Sequence, residues 1–460
     1  MANLSRRQFL YQAAILAGNS LLSRRARAGS FPSTKPNIIL CMSDDQGWGD
    51  VGYNDHPELR SPNLDDMALQ GIRFERFYSG APVCSPTRGS CLTGRHPYRY
   101  GIFYANSGHV KQAEITLAEA LKTLGYRTGH FGKWHLGTLT HKIKDSNRGA
   151  PGNTEHYAPP WDHGFDVCFS TEAKIPTYWH ADTYESYGTY YWTGPEEKVP
   201  ETDILGDDST LIMDRALPFI RDAARDHLPF LAVIWFHAPH LPVASAAPYT
   251  DGYTKHKDYY GCITAMDEQM GRLRNDLQQL GIEDNTMIWF CSDNGPEGND
   301  QAPGLTKGLR GRKRSLYEGG IRVPGLLVWP AKIKTNRVVR MPCSTNDYFP
   351  TVMDILGYKI PETDIRPYDG ESLWPLLNRN MDERPRPIGF QSRDQLALID
   401  NRYKLYSPDR GQTYELYDLI KDPAEKNDLI EQEPLVAKKM QARLQDWLQS
   451  CRESLQGKDY

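Results

Sequence analysis

The apolar run NIILCMSDD (37–45) ends in two adjacent carboxylates, Asp44 and Asp45, and the run MIWFCSDNG (287–295) ends in Asp293 and Asn294. Neighbouring carboxylates at a strand end repel each other and are costly unless a cation or several donors compensate. Either pair alone reads as the cap of a helix or turn. Two such pairs at corresponding strand ends make an all-oxygen set of the kind that holds Ca2+ or Mg2+. Cations and imidazoles accompany them. Lys133 and His135 stand two residues apart in GKWH, on one side of an extended chain. His237 and His240 close a third apolar run, FLAVIWFHAPH (230–240), and only one of them need point at a site. Five basic residues occupy the eight positions from Lys307 to Arg314 (KGLRGRKR). With their flanking glycines they suit a loop that closes over a small anion; alone they would be a solvated or nucleic-acid-binding patch. Cys84, in APVCSPTRGSCLTGR (81–95), precedes Cys91 by seven positions. Disulfide, metal ligand and nucleophile all remain open for it: a zinc site lacks short-spaced partners, and a thiolate would be favoured if Pro86 sits in the first turn of a helix.

The elements that must position these groups are legible from periodicity. The three apolar runs read as strands buried on both faces. Between them, Thr116 and Glu119 form a capping box that opens TLAEALKTLG, with Gly125 to close it; DDSTLIMDRALPFIRDAARD and YYGCITAMDEQMGRLRNDLQQLG carry apolar faces at helical spacing. Strands alternating with helices predict an α/β fold around a mainly parallel sheet, whose ligand crevice lies beyond the carboxyl ends of the strands. After about residue 340 the texture changes: a helix from Asp347, DGESLWPLL (369–377), a polar stretch, antiparallel-type strands in IGFQSRDQLALIDNRYKLYS, and a terminal amphipathic helix, PLVAKKMQARLQDWLQSCRESL. The expected boundary falls near 380, giving a catalytic domain over 29–380 and a small α+β domain over 381–460.

Residues 1–28 are expected to be a twin-arginine signal peptide: SRRQFL, a weakly apolar run, and a small-x-small cleavage site at Ala26-Arg27-Ala28. The remaining arginines before the cut, Arg24, Arg25 and Arg27, disfavour the general secretory route. Loss of this segment, which holds five arginines and no acid or lysine, takes the formal net charge from −4 to −9. A chain so acidic is no general binder of nucleic acid or anionic membrane, and an anionic substrate would need a local positive pocket. No stretch reaches the roughly 18 apolar residues of a membrane-spanning helix, so stable membrane insertion is not expected. The eight cysteines follow no disulfide framework, and several lie in apolar runs that suit buried thiols.

Cys84-Ser-Pro-Thr-Arg88, continued by GSCLTGR, resembles the signature of the type I, formylglycine-dependent sulfatases, a family of arylsulfatases and N-acetylgalactosamine sulfatases. PNIILCMSDDQGWGDVGY, SPNLDDMALQGIRFERFYS, GYRTGHFGKWHLG, HAPHLP, CSDNG, YEGGIRVPGLLVWP and ELYDLIKDPAEKNDL follow in that family's order and cover nearly the whole chain after residue 28. The resemblance implies an alkaline-phosphatase-like fold with a smaller C-terminal domain containing an antiparallel sheet. It implies that Cys84 is converted to 3-oxoalanine (Cα-formylglycine) by a formylglycine-generating enzyme. Asp44, Asp45, Asp293 and Asn294 would hold one Ca2+, in preference to Mg2+, that also contacts residue 84. Arg88, Lys133 and His135 would hold and polarise the aldehyde hydrate, Lys313 would bind sulfate, His240 would face the leaving group, and Asp293 is a candidate base. Arg312 and Arg314 stand where the family often has glycine, and would add positive charge at the entrance.

The expected reaction is sulfate-ester hydrolysis on a sulfated sugar or aryl sulfate, with Trp179, His180, Tyr259 and residues 310–314 as candidate sugar contacts. Two other readings stay open on the same residues: a phosphate or phosphonate ester hydrolase, and a sulfated-glycan-binding protein whose cysteine is never converted. Export by the twin-arginine machinery, which carries folded proteins, would place the mature protein in the periplasm or outside the cell, with Cys84 modified beforehand in the cytoplasm. Cys91 is expected to be a buried residue of the helix that follows Cys84.

Overall fold

The computed structural model describes residues 35–180, 187–361, 365–379 and 381–460. The twin-arginine segment and its cleavage site lie outside those residues. Five parallel strands form the centre of a ten-stranded sheet: Asn37–Ser43 (β1), Arg127–Lys133 (β2), Val167–Thr171 (β3), Phe230–Trp235 (β4) and Thr286–Ser292 (β5), arranged β5-β1-β4-β2-β3. Antiparallel strands extend it at Gly325–Val328 beside β5 and at Tyr191–Gly194 beside β3. Every residue of β1, β4 and β5 is buried, as their unbroken apolar character requires of strands covered on both faces. The covering helices include Leu117–Thr123, Asp208–Arg225 and Lys257–Gln279. Thr116 and Glu119 close both bonds of the capping box, at 3.1 and 2.9 Å. Within the described residues no helix is long and apolar enough to cross a membrane.

Register brings the reactive strand ends level. Ser43 stands opposite Ser292, Met42 opposite Trp235, and Trp235 opposite Gly132. Asp44, Asp293 and Lys133 therefore emerge side by side at the carboxyl edge, where the alternation of strands and helices places the crevice. The strand carrying Lys133 stops at that residue, however. His135 adopts φ 57°, so it reaches the site by a left-handed turn and not by the alternation of an extended chain.

The C-terminal part holds a four-stranded antiparallel sheet, Ile388–Ser392 (β6), Gln395–Asp400 (β7), Tyr403–Ser407 (β8) and Glu415–Asp418 (β9), and a helix over Pro434–Leu455. Its period-two pattern divides the faces. Leu396, Leu398, Leu405 and Leu416 pack on Ala437, Met440, Leu444 and Leu448 of the helix, while Ala397, Ile399 and Tyr406 join Tyr78, Leu316 and Ile321 of the larger part. A fully buried Lys404 lies between Glu318, 3.2 Å away, and Glu425, 2.8 Å away, fixing the small sheet to the segment just after the basic loop. All eight cysteines are free and buried, Cys91 among them in the helix Cys84–Thr93.

Gly132 shows how tightly the strand ends are drawn together. It has φ 102°, and a Cβ there would lie 1.9 Å from the Trp235 carbonyl oxygen. Gly132→Ala is expected to destabilise the protein by about 2 kcal/mol or more, combining left-handed strain with displacement of a neighbouring strand; denaturant titration would show it as a lower midpoint.

Candidate active site

The residues at the strand ends are almost wholly removed from water: Asp44, Asp293, Asn294 and Arg88 are 0% exposed, Asp45 and Lys133 1%. Such a concentration of charge persists only if it is paired. Lys133 Nζ lies 2.5 Å from Asp44 Oδ2, and Lys313 Nζ 2.7 Å from Asp45 Oδ2. Arg88 donates to Asp293 Oδ2 at 2.6 Å and to the Lys133 carbonyl at 3.0 Å, with Asp44 Oδ2 at 3.3 Å. Burial works to raise the Asp44 carboxyl, but Lys133, His240, Arg88 and Lys313 hold it well below the usual carboxylate range. Asp293 is pushed up by burial and by the charge of Asp44. The Lys313 ammonium, though buried, is driven well above its ordinary value, chiefly by Asp45 and then by Cys84 and Asp44.

Ligand atoms of Asp44, Asp45, Cys84 and His240 lie within 4.8 Å of one another. Asp44 Oδ1 and Asn294 Oδ1 are buried without a hydrogen-bond partner. Two orphaned oxygens, within an all-oxygen donor set from three carboxylates and an amide, fit a hard divalent cation.

Cys84 begins the helix Cys84–Thr93, every residue of which is buried, and Gly94 ends it with φ 67°. Pro86 does fall in its first turn. The helix terminus nevertheless fails to activate the thiol: burial pushes Cys84 up to about 12, against the pull of Lys133 and Lys313. An unmodified Cys84 is a protonated, poor nucleophile at neutral pH.

A cavity of about 350 Å3 opens onto Cys84, Lys133, His135, His240 and Lys313. Arg88 does not line it; its guanidinium lies behind and acts through Asp293 and the Lys133 backbone. His135 pairs its Nε2 with Asn106 Oδ1, and its Nδ1 is buried with no partner. As an amide oxygen can only accept, Nε2 carries the proton and Nδ1 presents a lone pair. Burial, reinforced by Lys133, Arg148 and Arg88, keeps this ring well below the ordinary histidine value. His240 Nδ1 donates to the Leu241 carbonyl at 2.6 Å, which leaves Nε2 as an acceptor 3.4 Å from Lys313 Nζ. Burial lowers His240 to about 4 despite Asp45 and Asp44. Of the two histidines after the third apolar run, His237 is the structural one, fully buried between Thr171 Oγ1 at 2.9 Å and Asp208 Oδ2 at 2.8 Å.

The basic loop divides in the same way. Lys313 enters the site, whereas Arg314 is forked onto Glu297, Arg312 donates to the Glu297 carbonyl at 3.0 Å, and Arg310 lies 3.8 Å over the Tyr317 ring. Of the two arginines expected to add positive charge at the entrance, Arg314 lines the cavity with its charge paired to the Glu297 carboxylate, and Arg312 does not line it. Trp179, His180 and Tyr259 do not line the cavity; Trp179 is buried, and the Tyr259 hydroxyl donates to Asp50 at 2.8 Å. The sequence reading missed Tyr104, Asn106, Asn147, Lys174 and Glu297, which do line it. They come from connecting loops, where no periodicity marks them; only Glu297, just past CSDNG, had a signal close by.

Residues 36–358 match the family profile described as Sulfatase, and residues 311–454 the one described as N-sulphoglucosamine sulphohydrolase, C-terminal. The chain belongs to the sulfatase family. It is accordingly a sulfuric ester hydrolase on an alkaline-phosphatase-like fold. It is 34% identical over 386 residues to the N-acetylgalactosamine-6-sulfatase of Homo sapiens, an alignment covering 78% of this chain and 69% of that protein. The crystal structure of Ps i-CgsB in complex with k-i-k-neocarrahexaose superposes with a TM-score of 0.77 at 26% identity, over 90% of this chain and 93% of the other. The phosphonate monoester hydrolase of Agrobacterium radiobacter shares the fold, with a TM-score of 0.62 at 21% identity over 92% and 96% of the two chains.

If the orphaned oxygens are a cation site, Ca2+ will stabilise the protein. At a concentration one hundred times its Kd the gain is expected to be about 2.7 kcal/mol relative to protein in chelator, read as a rise in the thermal midpoint. Asp44→Asn should abolish the difference between calcium and chelator; an unchanged difference in that variant would place the ion elsewhere.

Proposed function

We propose that this sulfatase removes sulfate from a sulfated carbohydrate, using Cys84 converted to 3-oxoalanine and one divalent cation, Ca2+ in preference to Mg2+. The observation that carries the reading is the convergence of Asp44, Asp45, Cys84 and His240 within 4.8 Å, with Cys84 and His240 lining a cavity shared with Lys133 and Lys313. The relatives support a sugar substrate: the human protein is named for an N-acetylgalactosamine sulfate, and Ps i-CgsB was crystallised with a neocarrahexaose. At about 350 Å3 the cavity lies at the small end of ligand pockets, a size suited to one ring with its sulfate.

A sulfate ester resists nucleophiles because its own oxygens are negative, so fixed positive charge must meet the charge that builds on them. Held by Asp44, Asp45, Asp293 and Asn294, the cation would supply part of that charge. The hydrated aldehyde at position 84 would supply an oxygen nucleophile and, in its second hydroxyl, a way to release sulfate that neither cysteine nor serine offers. The chain's own groups do the rest. Lys313 Nζ binds a sulfate oxygen and shares a proton with His240 Nε2, and that pair protonates the departing sugar oxygen. His240 alone is neutral near pH 7, so the proton resides on Lys313 in the free enzyme. Asp293 accepts the proton of the attacking hydroxyl, and Arg88 fixes its orientation. His135 Nδ1, bare because Asn106 holds the opposite nitrogen, accepts the proton whose loss frees sulfate.

Modification of Cys84 on the unfolded chain would precede export by the twin-arginine machinery, and the mature enzyme would act in the periplasm or outside the cell.

Comparison of sulfate and phosphate esters of one sugar tests the assignment. The sulfate ester should turn over with the higher kcat/KM, and Cys84→Ala should lower that value by about a thousandfold or more. Phosphate turnover faster by several orders would instead make the protein a phosphate or phosphonate esterase. Binding of sulfated sugars with no turnover by fully modified protein would make it a binding protein.

A further inference from the structure

Three cations that line the cavity are committed to carboxylates: Lys133 to Asp44, Lys313 to Asp45 and Arg314 to Glu297. Lys174 lines the same cavity and differs from them. It is exposed, and among the described residues its ammonium has no hydrogen-bond or ion-pair partner. An exposed lysine is ordinarily a solvated surface group, but the backbone that carries this one is pinned. Its neighbours Ala173 and Ile175 are 2% and 0% exposed, and Thr171 Oγ1 donates to the Ala173 carbonyl at 2.8 Å. The buried Glu172 carboxylate accepts from the Arg148 amide and the Gly149 amide, both at 3.3 Å, and from the Arg148 guanidinium at 3.4 Å. That latch joins the segment to the loop bearing Asn147, which also lines the cavity. The main chain thus fixes where Lys174 stands beside the cavity, and among the described residues its ammonium has no partner.

We propose that Lys174, with Asn147 alongside, binds a second anionic group of the substrate and so selects polyanionic glycans over singly charged sulfate esters. The inference rests on the sulfatase reading of the cavity and names the substrate class within it. The group is a sulfate or a carboxylate on the same sugar or the next one, since a lysine ammonium is a compact point charge that accepts either. The chain as a whole carries a formal net charge of −4, so a polyanion needs an uncommitted cation at the entrance to offset the general repulsion.

The test compares wild type, Lys174→Ala and Lys174→Arg on four substrates: an aryl sulfate, a monosulfated hexosamine, the same hexosamine with a second sulfate, and the monosulfated hexosamine joined to a hexuronate. Lys174→Ala should lower kcat/KM about tenfold, mainly through KM, on at least one of the two-anion sugars. The singly charged substrates should change by less than about twofold, and Lys174→Arg should stay within about threefold of wild type throughout. Whichever of the disulfated and uronate arms responds identifies the second anion. Equal losses on all four substrates, or no loss on either two-anion sugar, would overturn the proposal. Calorimetric binding of the two-anion sugars to the Cys84→Ala protein reads the same subsite without turnover, and Lys174→Ala should weaken it about tenfold. No sulfate release from any substrate by wild type, with that binding difference intact, would refute the sulfatase reading and leave the subsite standing.

Discussion

Three carboxylates, Asp44, Asp45 and Asp293, are buried at the level ends of two adjacent strands, and the architecture of the site follows from having to neutralise them. A buried charge without a partner costs several kcal/mol, more than a fold of ordinary stability can carry several times over. Each partner comes from a different element: Arg88 from the helix after Cys84, Lys133 from the end of β2, Lys313 from the loop after residue 307. The close approach at Gly132 and the buried Lys404 that fixes the C-terminal sheet against Glu318 hold those elements in place. The smaller sheet therefore belongs to the site, since it fixes the segment that follows the basic loop.

The same pairing sorts the ionisable groups into roles. Lys133, His240, Arg88 and Lys313 hold Asp44 ionised, while burial and the charge of Asp44 push Asp293 up. The two cavity histidines are both neutral at pH 7, yet they offer different nitrogens: Asn106 frees Nδ1 of His135, and the Leu241 carbonyl frees Nε2 of His240. The Cys84 thiol is protonated and buried at the focus of these groups. As a thiol it is a poor nucleophile there.

Much of the fold was legible because burial on both faces leaves a plain mark. Short unbroken apolar runs such as FLAVIW, bounded by polar residues and alternating with helical patterns, read as central strands, and the acids that follow them then fall at the carboxyl edge. Lys313 could be picked out of a basic run only through the resemblance to sulfatases, since charge pattern alone gave no ground for separating it from Arg312 and Arg314. Their divergence depends on Glu297, whose partners are set by a loop with no period to read. His237 and His240 were likewise separable only through that resemblance, because the difference lies in Asp208 and Thr171, remote residues that claim one of them. Asn106 and Lys174 were illegible for a related reason: each matters through a tertiary neighbour, His135 in one case and the buried anchors around Glu172 in the other.

The chemistry of the site turns on what residue 84 is in the finished protein. Mass spectrometry of the tryptic peptide spanning residues 77–88, from protein made by its native host, measures that directly. The aldehyde form is expected, lighter than the cysteine peptide and reactive toward carbonyl reagents. An unmodified Cys84 in protein that releases sulfate from its substrate would contradict a role for the aldehyde.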